Sequence, residues 1–215
     1  MTTEELKTMV FAGLAEKTTE TTPFEVIQAL NSAQVYLVRV LDWKAVPEMI
    51  QNLKVTDDAS NAGLYGVPAC ATKSDDMLDL IGMMWEPNDK ITSYYEDVIL
   101  QSAQIVSVQA LMTSFENTQD LLCADAGNSI MMSSAIGASW ETTDKTSIIR
   151  YKRNPTDLTN DIDPDINPKW HFHMVDYALA DIWMKFGDKE RSVLYNKQLL
   201  DRLNGPQAQQ QQGAQ

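Results

Sequence analysis

NPKWHFHMVDYALADIWMKFGD, residues 167–188, contains both histidines of the chain, a dense run of aromatics and a Gly-Asp break. It reads either as a metal site or as the first arm of a helical hairpin. Asn167 is a good helix cap and Pro168 a good first helical residue, where its missing N–H costs nothing. Phe172, Val175, Leu179, Ile182 and Phe186 then follow at steps of three, four, three and four, one apolar face of a helix. Gly187 stops that helix and Asp188 caps the next. In the second arm Val193, Leu200 and Leu203 share a face, and Leu199 lies beside Tyr195. The spacing predicts a two-helix hairpin with a one-turn connection.

The helical reading decides the metal question. Successive helical residues turn by about 100°, so His171 and His173 point about 200° apart and do not share one ion. With no third histidine, Asp176 or Asp163 would have to complete the set, a poor one for zinc. Asp157, Asp161, Asp163 and Asp165 suggest calcium, but the order D-I-D-P-D has neither the turn glycine nor the closing glutamate of a calcium loop. They read as a solvated loop held by Asx turns and prolines. GASW at 137–140 is not a nucleophile elbow, and no phosphate-binding glycine loop occurs. No catalytic, cofactor-binding or metal-binding residue is assigned. Trp170, Phe172, Tyr177, Trp183, Phe186 and Tyr195 are core or subunit contacts, since a stacking platform for single strands would interleave them with an excess of bases.

Elsewhere, Thr2 with Glu5 forms a capping box ahead of Leu6, Met9, Val10 and Leu14. Thr22, Pro23 and Glu25 repeat the signal, and Val26, Leu30, Ala33, Leu37 and Leu41 carry a helix over 23–43. DDASNAG and LYGVPACATKSDD leave helical geometry. MLDLIGMMW alternates like a strand and EPNDK is a turn. Residues 93–115 read as a helix from Tyr95, Val98, Ile99, Ile105, Val106 and Met112. SIMMSSAIG and TSIIRYKR are strand-like and form a candidate hairpin. NPTDLTNDIDPDINPK, with three prolines, reads as an ordered crossing loop. GPQAQQQQGAQ, residues 205–215, has nothing to bury and is expected to be disordered.

Seventeen Lys and Arg stand against thirty Asp and Glu, a net charge of −13 over 215 residues. Such a surface repels phosphate backbones and anionic lipid, which disfavours sequence-specific nucleic-acid binding but suits a wall past which DNA slides. Cys70 and Cys123 read as two buried thiols of a reducing compartment. MTTEELKTMVFAGLAEK carries acids where a signal peptide carries bases, and no window resembles a membrane span.

One run, IIRYKRNPTDLTNDIDPDINPKWHFHMVDYALADIWMKFGDKERSVLYNKQLLDRL, resembles the C-terminal part of the head-to-tail adaptor (connector, neck) proteins of tailed bacteriophages. The features are Tyr151, Arg153 and Pro155 with Leu158 and Thr159, the proline-led helix with Val175, Tyr177, Ala178, Leu179 and Ala180, then Gly187 and Asp188, and a last helix with Tyr195 that closes at Leu203. VIQALNSAQVYLVRVLDW resembles the early helix of those proteins, and LYGVPA resembles their approach to the β region. Residues 86–144 depart from the shorter members. The resemblance implies a mainly α protomer: a helical bundle with a C-terminal α-hairpin and a smaller β insertion, α+β overall. It implies one domain over 1–204, with a helical core at about 1–45 and 167–204 and a β region at about 64–155. It further implies a non-enzymatic virion protein without cofactor. Such a protein is made in the host cytoplasm and forms a ring, usually twelvefold, below the portal protein. That ring would join the head to a downstream tail or neck protein and pass DNA through its lumen, with no membrane contact. Leu199, Leu200 and Leu203, on the last helix, are the candidate partner interface or, equally, the hairpin's own core. The alternatives are a metal-dependent hydrolase using His171, His173 and nearby carboxylates, or an acidic regulator that mimics DNA.

Overall fold

The structure is a computed structural model that describes residues 1–56, 69–72, 74–85, 101–113, 122–127, 129–132 and 146–212. The backbone forms two compact units: Met1–Met49 with Asn154–Gln215, and Ile50–Arg153.

The helical unit starts where local chemistry says it should. In α1 (Thr3–Leu14) the Thr2 hydroxyl accepts from the Glu5 N–H at 3.2 Å, and the Glu5 carboxylate accepts from the Thr2 N–H at 2.8 Å. The same box, with Pro23 in the first turn, opens α2 (Pro23–Val40). Each box satisfies two of the N–H groups that a helix start orphans. A 3-10 turn over Pro168–Trp170, capped by the Asn167 side chain, leads into α4 (His171–Lys185). Gly187, at φ +79°, makes the left-handed turn that ends it. Asp188 caps the first turn of the final helix (Lys189–Gln212, called α5), accepting from the Arg191 N–H at 3.0 Å.

Helix α4 contacts α1, α2 and α5, and it buries most of its side chains: Met174, Val175, Asp176, Ala178, Leu179, Ile182 and Trp183 among them. A helix packed against three others is the centre of its unit, and the side with Tyr177, Asp181, Met184 and Lys185 stays open. Hence the stripe read from the sequence is right at Val175, Leu179 and Ile182 and wrong at Phe172, which is half exposed. At Gly13, α1 comes so close that an added Cβ would stand 2.6 Å from a Leu179 methyl.

The crossing segment 154–166 has no ladder to satisfy its peptide groups, and side-chain amides of α2 replace one. Asn31 accepts from the Leu158 N–H at 2.7 Å and donates to the Leu158 carbonyl at 3.4 Å. Gln34, 1% exposed, donates to the Thr156 carbonyl at 3.1 Å and accepts from the Asp165 N–H at 3.0 Å. From α1, the Thr3 hydroxyl donates to the Ile162 carbonyl at 2.6 Å and its N–H donates to Asp163 at 2.9 Å. Pinned this way, the strap buries Leu158 and Ile166.

The second unit overturns the helical-bundle assignment. Its strands are β1 (Ile50–Thr56), β2 (Ala69–Thr72), β3 (Met77–Trp85), β4 (Gln101–Ile105), β5 (Leu122–Asp125), β6 (Ser129–Met132) and β7 (Thr146–Arg153). They form one mixed sheet in the order β1-β7-β3-β4-β5-β6-β2. The fold is therefore α+β with a substantial sheet, not a mainly α bundle with a smaller β insertion. The only parallel pair of the described sheet is β4 with β5, and a parallel pair needs a crossover. The short helix α3 (Val108–Thr113) lies within that crossover. Alternation along β5 buries both faces: Cys123 packs with Met77, Met83, Ile130, Ile149 and Tyr151, while Leu122 and Ala124 pack with Leu111 of α3. Burial pushes the Cys123 thiol up to about 11.

Three local expectations are corrected. Among the described residues of 93–115, Gln101–Ile105 is a strand and Val108–Thr113 a helix, because pairing with β3 and β5 outweighs a helical spacing weakened by β-branched residues. The two strand-like segments do not pair with each other; β6 lies between β5 and β2, and β7 between β1 and β3. Residues 205–212, expected to be disordered, continue the last helix. The turn at EPNDK lies outside the described residues.

Gln34→Leu keeps the side-chain volume and orphans a carbonyl and an N–H in the strap. It is expected to lower stability by about 2–6 kcal/mol, at about 1–3 kcal/mol for each of the two unpaired groups, as read from the urea midpoint. Ser32→Ala, on the same helix but exposed, is expected to change little.

Candidate functional site

The polar groups that sequence reading singles out fall on the α4/α5 hairpin, and the structure separates the two histidines. His171 is 2% exposed and its Nε2 lies 3.1 Å from the Ile166 carbonyl, facing the strap. His173 is 9% exposed, sets its ring edge-on to Trp170 at 5.0 Å and faces Arg202 of α5. Burial holds both imidazoles below their ordinary pKa; the Ile166 carbonyl opposes this at His171, and the Arg202 carbonyl opposes it at His173. Pro206 has no N–H to give that Arg202 carbonyl its usual helical bond, leaving it available. Neither nitrogen of His173 makes a hydrogen bond of ordinary geometry. Among the described residues no three His, Cys, Asp or Glu side chains are grouped to hold a metal.

Asp176, 4% exposed, lies one helical turn beyond His173. Arg202 brings Nη1 to 2.8 Å from its Oδ2, an ion pair without hydrogen-bond alignment. Burial raises the Asp176 carboxyl, and the Arg202 guanidinium pulls it back down. Arg202 also stacks 5.7 Å from the Phe172 ring centre, and Arg191 lies 4.3 Å over Trp183. Two arginines three turns apart thus fasten α5 to aromatic rings of α4. The Trp183 Nε1 and Ser192 hydroxyl buried along the seam have no hydrogen-bond partner. The arrangement holds two helices together; it offers no nucleophile beside a base.

The acidic strap does not converge either. Asp163 accepts the Thr3 N–H and Asp165 accepts the Thr156 N–H at 2.7 Å, while Asp157 and Asp161 face solvent.

The three candidate interface leucines part company. Leu199 is 2% exposed and belongs to the hairpin core, Leu203 is half-buried, and Leu200 is 50% exposed. The inner face of α5 is Ser192, Tyr195 and Leu199; Val193, at 62%, and Leu194, at 52%, point outward. Counting apolar residues missed this, because the core side of α5 carries a serine. Sequence reasoning also missed an open groove of about 360 Å³ lined by Asn31, Ser32, Val35, Tyr36, Arg39 and Tyr177. In it the rings of Tyr36 and Tyr177 lie 4.7 Å apart. Its signal was present in Tyr36, Asn31 and Ser32 on the polar side of α2.

Comparison with protein families matches residues 1–215 to the family described as SU10 adaptor protein. Comparison with curated proteins finds no significant match. No helix among the described residues is long and apolar enough to cross a membrane.

Arg202→Met leaves a buried carboxylate unpaired. Because the guanidinium is nearly half exposed, the expected loss is about 1–3 kcal/mol, below that for a fully buried pair; Asp176→Leu added to it is expected to restore stability in denaturant unfolding. The histidines predict a pH effect. Their folded pKa values are depressed, so their stabilisation is present above the ordinary value of about 6.5 and lost as pH falls through the depressed values. Asp176, raised by burial, acts in the opposite sense. Between pH 7.5 and 5 the thermal midpoint is expected to fall, and to fall less in His173→Phe.

Proposed function

The chain belongs to the SU10 adaptor protein family, and on that premise we propose that this bacteriophage adaptor protein is the subunit of a neck ring. The ring, most simply a dodecamer, sits below the portal protein, joins the head to a downstream tail or neck protein and lines the channel through which DNA leaves. The single observation behind this reading is the family match over the full length of the chain. The protein is a virion component; assembly takes place in the host cytoplasm, and the work is mechanical and not enzymatic.

Charge and shape support the reading. A −13 chain offers DNA few cations to neutralise its phosphates, so a wall built from it lets the duplex slide. Arg202 meets Phe172, the second residue of α4, so residues 203–212 of α5 run about 15 Å past the start of α4. That projecting end is the portal-facing element, with Leu203 at its base and the outward Leu200 beside it. Helix α5 is thus half structural anchor and half probe.

Electron microscopy of the full chain mixed with the portal of the same phage is expected to show a second ring stacked on the portal. Portal rings that stay bare at saturating chain concentration would overturn the reading.

A further inference from the structure

The last helix carries a break that its neighbour repairs. An α-helix bonds each N–H to the carbonyl four residues back, and the proline at 206 has no N–H to give the carbonyl of Arg202. Its ring also crowds that same carbonyl, a common cause of a sharp helix bend. Gly205 stands directly before it, so the two poorest helix formers are adjacent while α5 runs on through both. Past them, residues 207–212 read QAQQQQ, a run with no apolar stripe to pack against the unit.

Just before the break, Arg202 is fastened to α4 from both its ends. The guanidinium reaches Asp176 Oδ2 at 2.8 Å and lies 5.7 Å from the Phe172 ring centre. The carbonyl, the one that Pro206 leaves without a helical donor, faces the imidazole of His173. That ring is buried, set edge-on to Trp170 at 5.0 Å, and neither of its nitrogens is engaged in an ordinary hydrogen bond. A buried imidazole without a partner and a carbonyl deprived of its N–H each cost free energy alone, and each answers the need of the other.

We infer that residues 205–212 are an arm jointed between Gly205 and Pro206, and that His173 is its catch, supplying to the Arg202 carbonyl the donor that residue 206 lacks. With the catch closed, α5 stays wound up to its last fastening point and the arm starts from a fixed place. With the catch open, the carbonyl turns to water and the turn before the proline loosens as well. His173 is thus a positioning residue of the arm, acting through Arg202. The inference concerns the chain by itself and does not rest on the ring reading, so its failure leaves that reading standing; joined to it, the portal-facing element is a jointed one.

Hydrogen exchange of the full-length chain at neutral pH, read by mass spectrometry, tests both parts. Amides of residues 207–212 are expected to exchange faster than those of 196–202, and Pro206→Ala, which restores the missing donor, is expected to slow them about tenfold or more. A Cβ added at Gly205 meets nothing, so Gly205→Ala is expected to slow them too, by a smaller factor. His173→Phe keeps a ring beside Trp170 and removes the donor. It is expected to speed exchange at residues 203–205 about fivefold, the worth of one hydrogen bond, and to have no such effect when combined with Pro206→Ala, where the helix satisfies the carbonyl itself. His173→Gln, which returns a side-chain N–H, is expected to lie near the wild type. Residues 207–212 that exchange as slowly as 196–202, or Pro206→Ala and Gly205→Ala chains that exchange like the wild type, would overturn the joint. A His173→Phe effect of equal size with and without Pro206 would overturn the catch and leave His173 a packing residue.

Discussion

The helical unit depends on a substitution of side chain for main chain. The strap from Asn154 to Ile166 crosses the unit without a strand partner, and a buried peptide group without a partner costs as much as a lost hydrogen bond. Asn31 and Gln34, each with one donor and one acceptor, imitate the peptide group and hold Thr156, Leu158 and Asp165. With the strap fixed, Pro168 begins its turn at a set place, Ile166 meets His171, and α4 enters the centre of the unit. Remove the two amides, and only the Thr3 contacts and the buried Leu158 and Ile166 are left to place the strap where α4 must start.

From that placement the character of the α4/α5 hairpin follows. Because α4 is packed against α1, α2 and α5, three of its polar residues, His171, His173 and Asp176, are buried whether or not they have work to do. His171 finds a carbonyl, Asp176 finds Arg202, and His173 finds an aromatic edge and the Arg202 carbonyl. The depressed imidazoles and the raised carboxyl are consequences of enclosure, and perturbed groups of this kind would in another setting suggest chemistry. Here the two rings face different elements, which leaves packing as their common role. The same packing leaves Val193, Leu194 and Leu200 exposed on the outer side of α5.

How much of this was legible in the sequence varied with how local the cause was. Capping boxes at Thr2 and Thr22, the proline start at 168 and the glycine stop at 187 were readable because a few adjacent residues decide them. The crossing loop was readable from its prolines, but its grip was not, since nothing in the sequence pairs Asn31 with Leu158 across 127 positions. The sheet was read only in fragments. MLDLIGMMW and TSIIRYKR alternate, yet their neighbours are set by long-range pairing, and QSAQI looks helical until β3 and β5 claim it. On α5, Leu199 and Leu200 are chemically identical, and only the seam with α4 decides which is core and which is surface.

The helical unit is discontinuous: its first 49 residues are separated from the rest by the whole of Ile50–Arg153. During synthesis the two capped N-terminal helices emerge first, with Leu6, Val10, Leu30 and Leu37 uncovered until the strap and α4 arrive. At about 5–20 residues per second, the intervening stretch imposes a wait on the order of 5–20 s. The nascent chain therefore carries that apolar surface bare for the interval, longer than either helix takes to form.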